Sequence, residues 1–420
     1  MLRDINRLIK YIRSDSDGKV FRNRIVILIL VITSALLFNR FVLSSYVSDD
    51  LKISLNRSKL VFQNGKSPYD EEIQNYIKGL ARDEKWMVAD NTFEYDLPLF
   101  QAFVYFPFAL IPDYLWASSV FITVNQICIF LAIHMLFILL GWEPKIIDRV
   151  FVYVLLIGVF FLQKNILAGN ASVIQLTLII AVIFNEERKN HIVAGIFLGL
   201  SFIDPISMLL TLIVLLIILI SKREFSIILW SIITIGLLTI FTIIFNQNWI
   251  IGWLKSIFLT PFRFPVVNYV IGFEEKFGIS LQRLVIIFPI LLTSWLVFEI
   301  IRMPKGTPEE KIWLLSISGL LNYYVMVQAS IYASVLFFLS LILVINVWWN
   351  KIQGIGKLIL YLFLIGISAG VVLLEIITTA ALSARWITLL LISTTFLLMV
   401  NLYWSRLWII RPYLISNSME

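Results

Sequence analysis

The chain has 420 residues, of which 60% are apolar and only 15% charged. A soluble domain of that size needs a charged surface, so the composition excludes an ordinary water-soluble enzyme and makes lipid the solvent. The net charge of +7 lies in short connectors between apolar runs, the pattern of cytoplasmic loops and not of a nucleic-acid-binding face, while one cysteine (Cys128) and two histidines (His134, His191) leave no material for a disulfide framework or a Cys- or His-rich metal centre.

Arg3, Arg7, Lys10, Arg13, Lys19, Arg22 and Arg24 make residues 1–24 a basic segment that stays in the cytoplasm. The first span, about 25–45, therefore runs outward, and its apolar run is too long for the core of a cleavable signal peptide. Residues 46–97 then form a long polar extracytoplasmic loop. Within it Leu51, Leu55 and Phe62 recur near helical spacing. So do Ile73, Tyr76, Ile77 and Leu80, behind the acidic start Asp70, Glu71, Glu72. The pattern predicts two short amphipathic helices on the outer membrane surface, divided by a turn at Gly65–Pro68.

Further spans are predicted at about 98–112, 115–140, 149–163, 171–184, 192–203, 205–221, 225–246, 281–301, 312–329, 331–349, 358–378 and 384–404. Lys222–Arg223, Arg302–Lys311, Lys351–Lys357 and the tail from Arg406 read as cytoplasmic connectors, which puts 247–280 outside. The expected fold is an all-α polytopic bundle of about 12–13 transmembrane helices, with residues 25–420 as one transmembrane domain. The middle of the chain does not count through. Strict alternation places Glu186–Lys189 outside, whereas its basic residues place it inside. Several segments there are far shorter than the ~20 residues of an untilted crossing. At least one is expected to be a half-helix or re-entrant. His134, in an apolar run, is expected to be buried and hydrogen-bonded; Trp348, Trp349, Trp404 and Trp408 flank span ends as interfacial anchors.

Asp49 and Asp50 open the first loop. One reading is that one of them caps the following helix; the other is a general base at the membrane surface, and the two are compatible. Asp204, before Pro205, is an acid at membrane depth, hence either a functional group or a cap at a broken span. Glu375, mid-span, has no evident partner. Gln163, Asn165 and Asn170 either line a cavity or simply form a polar turn.

Four stretches of the first half carry a family resemblance. They are Asp50-Leu-Lys-Ile, Gly65-Lys-Ser-Pro68-Tyr69-Asp70, Phe93-Glu-Tyr95-Asp-Leu-Pro98-Leu-Phe100 and Pro107-Phe-Ala-Leu-Ile-Pro112. They resemble the polyprenyl-phosphate-mannose-dependent mannosyltransferases of glycosyltransferase family 87, in the GT-C superfamily. Gly169-Asn170 and Ala194-Gly-Ile-Phe-Leu-Gly199-Leu before Pro205 are similar to further segments of that family. The chain departs from the pattern at Asp204, where the family usually has lysine, and at Asn322-Tyr323, where many members have Trp-x-His. Asp96 also separates Tyr95 from Pro98 where two prolines are usual.

The resemblance implies a GT-C glycosyltransferase without cofactor or metal. It would move a hexose, mannose by resemblance, from a polyprenyl phosphate to an extracytoplasmic glycolipid or glycan. The displacement is single and inverting, with Asp50 (or its neighbour Asp49) as the base. Partners are then the lipid-linked donor, the acceptor and membrane lipids, with no nucleic acid. Charge building on the departing phosphate calls for outer cations, for which Arg263, Lys255, Lys276, Arg283 and Arg385 are the candidates. Snorkelling from span ends explains the same residues without function. Tyr95, Asn170, Gln163 and Asp204 are the candidates for the acceptor cavity. Competing readings are a lipid or small-solute transporter, whose broken middle spans would form the site, and an inactive scaffold subunit.

Overall fold

The structure, a computed structural model, describes residues 15–47, 49–73, 76, 98–205, 207–259, 282–301, 306–325, 331–351, 362 and 394–406, and no strand occurs among them. Helix α1 (Asp15–Phe38) continues through a π turn, Asn39–Leu43, and a 3-10 turn, Ser44–Tyr46. Its apolar run has almost no protein around it: Ile25, Val26, Ile27, Leu28, Ile29, Leu30 and Val31 are all exposed. So continuous an apolar surface needs lipid as its cover. Three stretches among the described residues are long and apolar enough to cross a membrane: Ile25–Leu43, α4 (Tyr114–Leu139) and α10 (Phe225–Phe245).

The predicted first-loop helix forms as α2 (Asp49–Asn64), but it does not lie on a lipid surface. Leu51 and Leu55 are buried against Tyr105, Ala109, Phe121, Ala171 and Ile203, so the stripe read as membrane-facing faces protein instead. The second predicted helix falls largely outside the described residues; only its start is seen, with Ile73 buried.

Residues 98–112 do not form one long helix. They form a 3-10 turn, Leu99–Gln101, and α3 (Ala102–Ala109). At its start the Ser58 hydroxyl of α2 donates to the Ala102 carbonyl at 2.8 Å. Just past its end, Asp113 pairs with Arg40 of the π turn at 3.6 Å and caps α4 by accepting from the Leu115 and Trp116 N–H groups. The helical stretch Leu99–Ala109 rises only about 16 Å against a hydrocarbon thickness of ~30 Å.

α4 leads away from the α2 end. α5 (Ile146–Gly158) and α6 (Phe160–Leu167), broken at Val159, return to it. α7 (Ser172–Glu187), α8 (His191–Leu200), α9 (Leu209–Ser221) and α10 follow in alternation. Glu186 and Glu187 then meet the basic connectors. Lys311 forms ion pairs with both, and Lys222 approaches Glu186 at 3.7 Å. His191 and Glu224, 3.0 Å apart, join the same end.

α8 lies against α10 because Gly195 and Gly199 leave room. A Cβ on them would sit 2.4 Å from the Trp230 Cβ and 2.6 Å from the Thr234 Cβ. Small residues four apart let two helix backbones approach closely.

The most buried layer is α9, α13 (Pro308–Val325) and α14 (Phe337–Lys351), where Ile312 through Asn322 are buried without a break. α12 (Gln282–Ile301) and the helical residues 394–406 pack beside it. Trp313 Nε1 donates to the Leu402 carbonyl at 3.0 Å, and Arg406 pairs with Glu299.

Two smaller expectations need correcting. His134 is exposed on α4, on the face turned away from the bundle. Trp349 is buried, its ring 6.0 Å from Trp142, so it packs inside protein. Glu375, Trp408 and nearly all of the 358–378 span lie outside the described residues.

Candidate active site

The site is built from α2 inward. Lys52 and Gln63 are exposed on its outer side. Asp50, Ser54 and Arg57, spaced i, i+4 and i+7, share the opposite face and are half-buried. Asp49 and Asp50 are the first two residues of α2. Acidic groups there complement the helix dipole.

What fixes α2 is its contact with the turn at Gly169–Asn170. Gly169 has φ +71°, and a Cβ on it would lie 2.3 Å from the Leu51 Cβ, so only glycine lets the helix sit this close. Leu51 follows Asp50 directly, and the contact therefore sets where that carboxylate stands. The turn is rigid. Asn170 Oδ1 accepts from the Ser172 N–H at 3.0 Å, and Ser172 Oγ donates to Asn165 Oδ1 at 2.9 Å. Asn165 Nδ2 in turn reaches Ser334 Oγ at 3.4 Å. Asn165 and Asn170 thus satisfy polar groups of the turn.

Tyr105 of α3 stands beside the same face. It is buried in one cluster with Leu51 and Leu55 of α2 and with Ala171 and Ile203. Asp204 is only 2% exposed. Its carboxylate accepts from the Ser207 N–H at 3.1 Å and from the Ser207 hydroxyl. It therefore closes the turn between α8 and α9, as the broken-span reading expects. Gln175 Nε2 donates to the Ser201 and Asp204 carbonyls at 2.7 and 2.6 Å. Asn322 completes the repair: its Nδ2 donates to the Ser207 carbonyl at 2.6 Å and its Oδ1 accepts from the Leu210 N–H at 3.0 Å. A buried helix break needs such partners. Among the described residues, no three of His, Cys, Asp or Glu gather as metal ligands would.

The other predicted residues distribute unevenly. Gln163 is half-buried on α6. Lys255 is exposed on α11 (Trp249–Leu259), and Arg283 is the second residue of α12. Arg263, Lys276, Arg385 and Tyr95 lie outside the described residues. Ser54, Arg57 and Tyr105 face the site and are absent from the sequence candidates. The helical spacing from Asp50 points to the first two; Tyr105 has no local signal.

The arrangement sets a carboxylate and a guanidinium on one inward helix face, with Tyr105 packed against the same helix. Residues 97–288 match the family model of glycosyltransferase family 87, the family named by the sequence resemblance. The match supports a membrane glycosyltransferase, with Tyr105, Gly169, Asn170 and Asp204 inside the matched stretch and α2 ahead of it. No curated protein and no solved structure matches the chain.

Proposed function

We propose that this membrane glycosyltransferase moves a hexose, mannose by resemblance, from a polyprenyl phosphate to an extracytoplasmic glycolipid or glycan. Asp50 is the general base. It takes the acceptor hydroxyl proton as that oxygen attacks the anomeric carbon from the side opposite the phosphate, which inverts the centre. Asp49, its neighbour in the helix, is the alternative base. Lys255, Arg263, Arg283 and Arg385 are held as donor-side cations, and Tyr95, Gln163 and Asn170 as acceptor-side groups.

The observation that carries the reading is the seating of α2. The helix that bears Asp50 is packed onto the Gly169–Asn170 turn of the family-matched stretch, with the Asp50 face turned inward.

We further propose one transmembrane domain of 12 crossings, in which residues 98–112 re-enter and do not cross. All basic connectors then face the cytoplasm, and α2 and Asp50 face outward.

Membranes carrying the protein, given radiolabelled polyprenyl-phosphate-mannose and native lipid extract, test the mechanism. Asp50→Asn should lower transfer by about 10²–10⁴-fold. Transfer that survives this change removes Asp50 as the base. If no prenyl-linked sugar gives transfer with the wild type, the transporter or scaffold readings gain.

A further inference from the structure

We infer that Arg57 is the residue that binds the phosphate of the lipid-linked donor. The assignment rests on the glycosyltransferase reading above. It names a cation that loop-by-loop inspection of the chain does not single out.

Three observations meet at this side chain. Arg57 is half-buried and shares the inward face of α2 with Asp50, whereas Lys52 is exposed and Lys59, also half-buried, lies on the opposite side of the helix. On the same helix, Leu51 and Leu55 pack against Tyr105 and Ala171, which seats α2 on the turn beside the site. Arg57 also follows Asp50 by seven residues on one straight helix.

That spacing suits an in-line displacement. Seven residues of α-helix rise about 10 Å. The base, the acceptor oxygen, the anomeric carbon, the leaving oxygen and the phosphate must lie in series. Hydrogen bonds of about 2.8 Å at either end and the reacting atoms between them also span roughly 10 Å. In the step, the acceptor O–H proton passes to the Asp50 carboxylate and the acceptor oxygen bonds the anomeric carbon. The bond from that carbon to the phosphate oxygen breaks, and its electron pair leaves with the prenyl phosphate. Negative charge therefore disappears at one end of the α2 face and appears at the other, where a planar guanidinium offers a bidentate fork to it. Base and cation on one rigid element keep their separation without help from a loop.

Binding of farnesyl phosphate, farnesol and inorganic phosphate to the detergent-purified full chain tests this, with wild type, Arg57→Gln, Arg57→Lys and Asp50→Asn. Farnesyl phosphate should bind the wild type, lose about 30-fold in Arg57→Gln, lose less in Arg57→Lys, and bind Asp50→Asn at least as well. Farnesol should bind wild type and Arg57→Gln alike, and free phosphate far more weakly than farnesyl phosphate. In the transfer assay Arg57→Gln should raise the donor KM and leave the acceptor KM unchanged. Equal farnesyl phosphate binding by wild type and Arg57→Gln overturns the Arg57 assignment alone. Parallel loss of farnesol binding also overturns it, because the residue would then shape the site without holding the phosphate. A wild type that binds no prenyl phosphate removes the donor reading and the assignment together.

Discussion

Gly169→Ala tests whether the seating of α2 governs the reaction. Two costs follow from the structure. The residue has φ +71°, and an L side chain there costs about 1–2 kcal/mol. The new Cβ would also lie 2.3 Å from the Leu51 Cβ and 3.0 Å from its Cα, a clash with the stem of a helix and not with a flexible tip. Carbon contacts normally begin near 3.5 Å, so α2 must retreat by about 1 Å. Asp50 is the next residue back and moves with it. A misplacement of that size costs on the order of 100-fold in rate, whereas the rest of the bundle keeps its packing. Transfer should therefore fall about 100-fold while the melting temperature in detergent drops by only a few degrees. Gly236→Ala is the control: nothing lies within 4 Å of a Cβ there. Helix propensity alone makes that change neutral or stabilising by up to about 1 kcal/mol. Gly169→Ala activity within threefold of wild type would refute the idea that this contact positions the base.

The end of the bundle opposite α2 makes its own predictions. Lys311→Met removes the close ion pair of Glu186, which is 3% exposed and keeps Lys222 at 3.7 Å, and should cost about 3 kcal/mol in chemical denaturation; a loss below 1 kcal/mol would reject the network's role. Lys222→Met should cost less than about 1 kcal/mol, since burial and then the Lys311 charge push the Lys222 amine below the usual lysine range. Burial works against the Lys311 ammonium too, but hydrogen bonds and charge from Glu186 and then Glu187 outweigh it and hold its pKa above that range. Its stabilising contribution is therefore complete below about pH 10.4 and fades as pH climbs through the raised value. Melting temperature should fall in that alkaline window for wild type and not for Lys311→Met. Asn322→Ala leaves the Ser207 carbonyl and the Leu210 N–H without their side-chain partner and should cost about 1–3 kcal/mol for each orphaned group. A melt unchanged from wild type would mean that water takes over both bonds.

Apolar runs announce helices well, because desolvation acts on every residue of a run. That is why Tyr114–Leu139 and Phe225–Phe245 stand within a residue or two of the lengths expected for them. What a run does not encode is its cover. Residues 98–112 are as apolar as a crossing helix, yet Leu99, Phe100 and Tyr105 are buried by protein. Just past its end Asp113 pairs with Arg40, a residue far away in the chain. Periodicity has the same blindness at α2. Leu51 and Leu55 at helical spacing describe one apolar stripe, and neither says whether lipid or the Gly169 turn lies against it. The conflict over Glu186–Lys189 is visible as a charge inconsistency; its resolution needs Lys311, which arrives late in the chain.

The candidate site divides along the same line. Asp50 is legible because a carboxylate at the start of a polar loop is conspicuous in so apolar a chain. Arg57 is equally plain as a letter, and its i+7 relation to Asp50 is written in the sequence. It gains meaning only when the inward face of α2 is known, for Lys52 and Lys59 are also cations on that helix and lie elsewhere around it. A search for phosphate-binding charge that proceeds loop by loop favours residues framed by prolines and aromatics, as Arg263 is. Chemistry asks a different question. The cation that stabilises a departing phosphate must keep a set distance from the base throughout the displacement, and two side chains on one helix meet that demand more directly than side chains on separate loops.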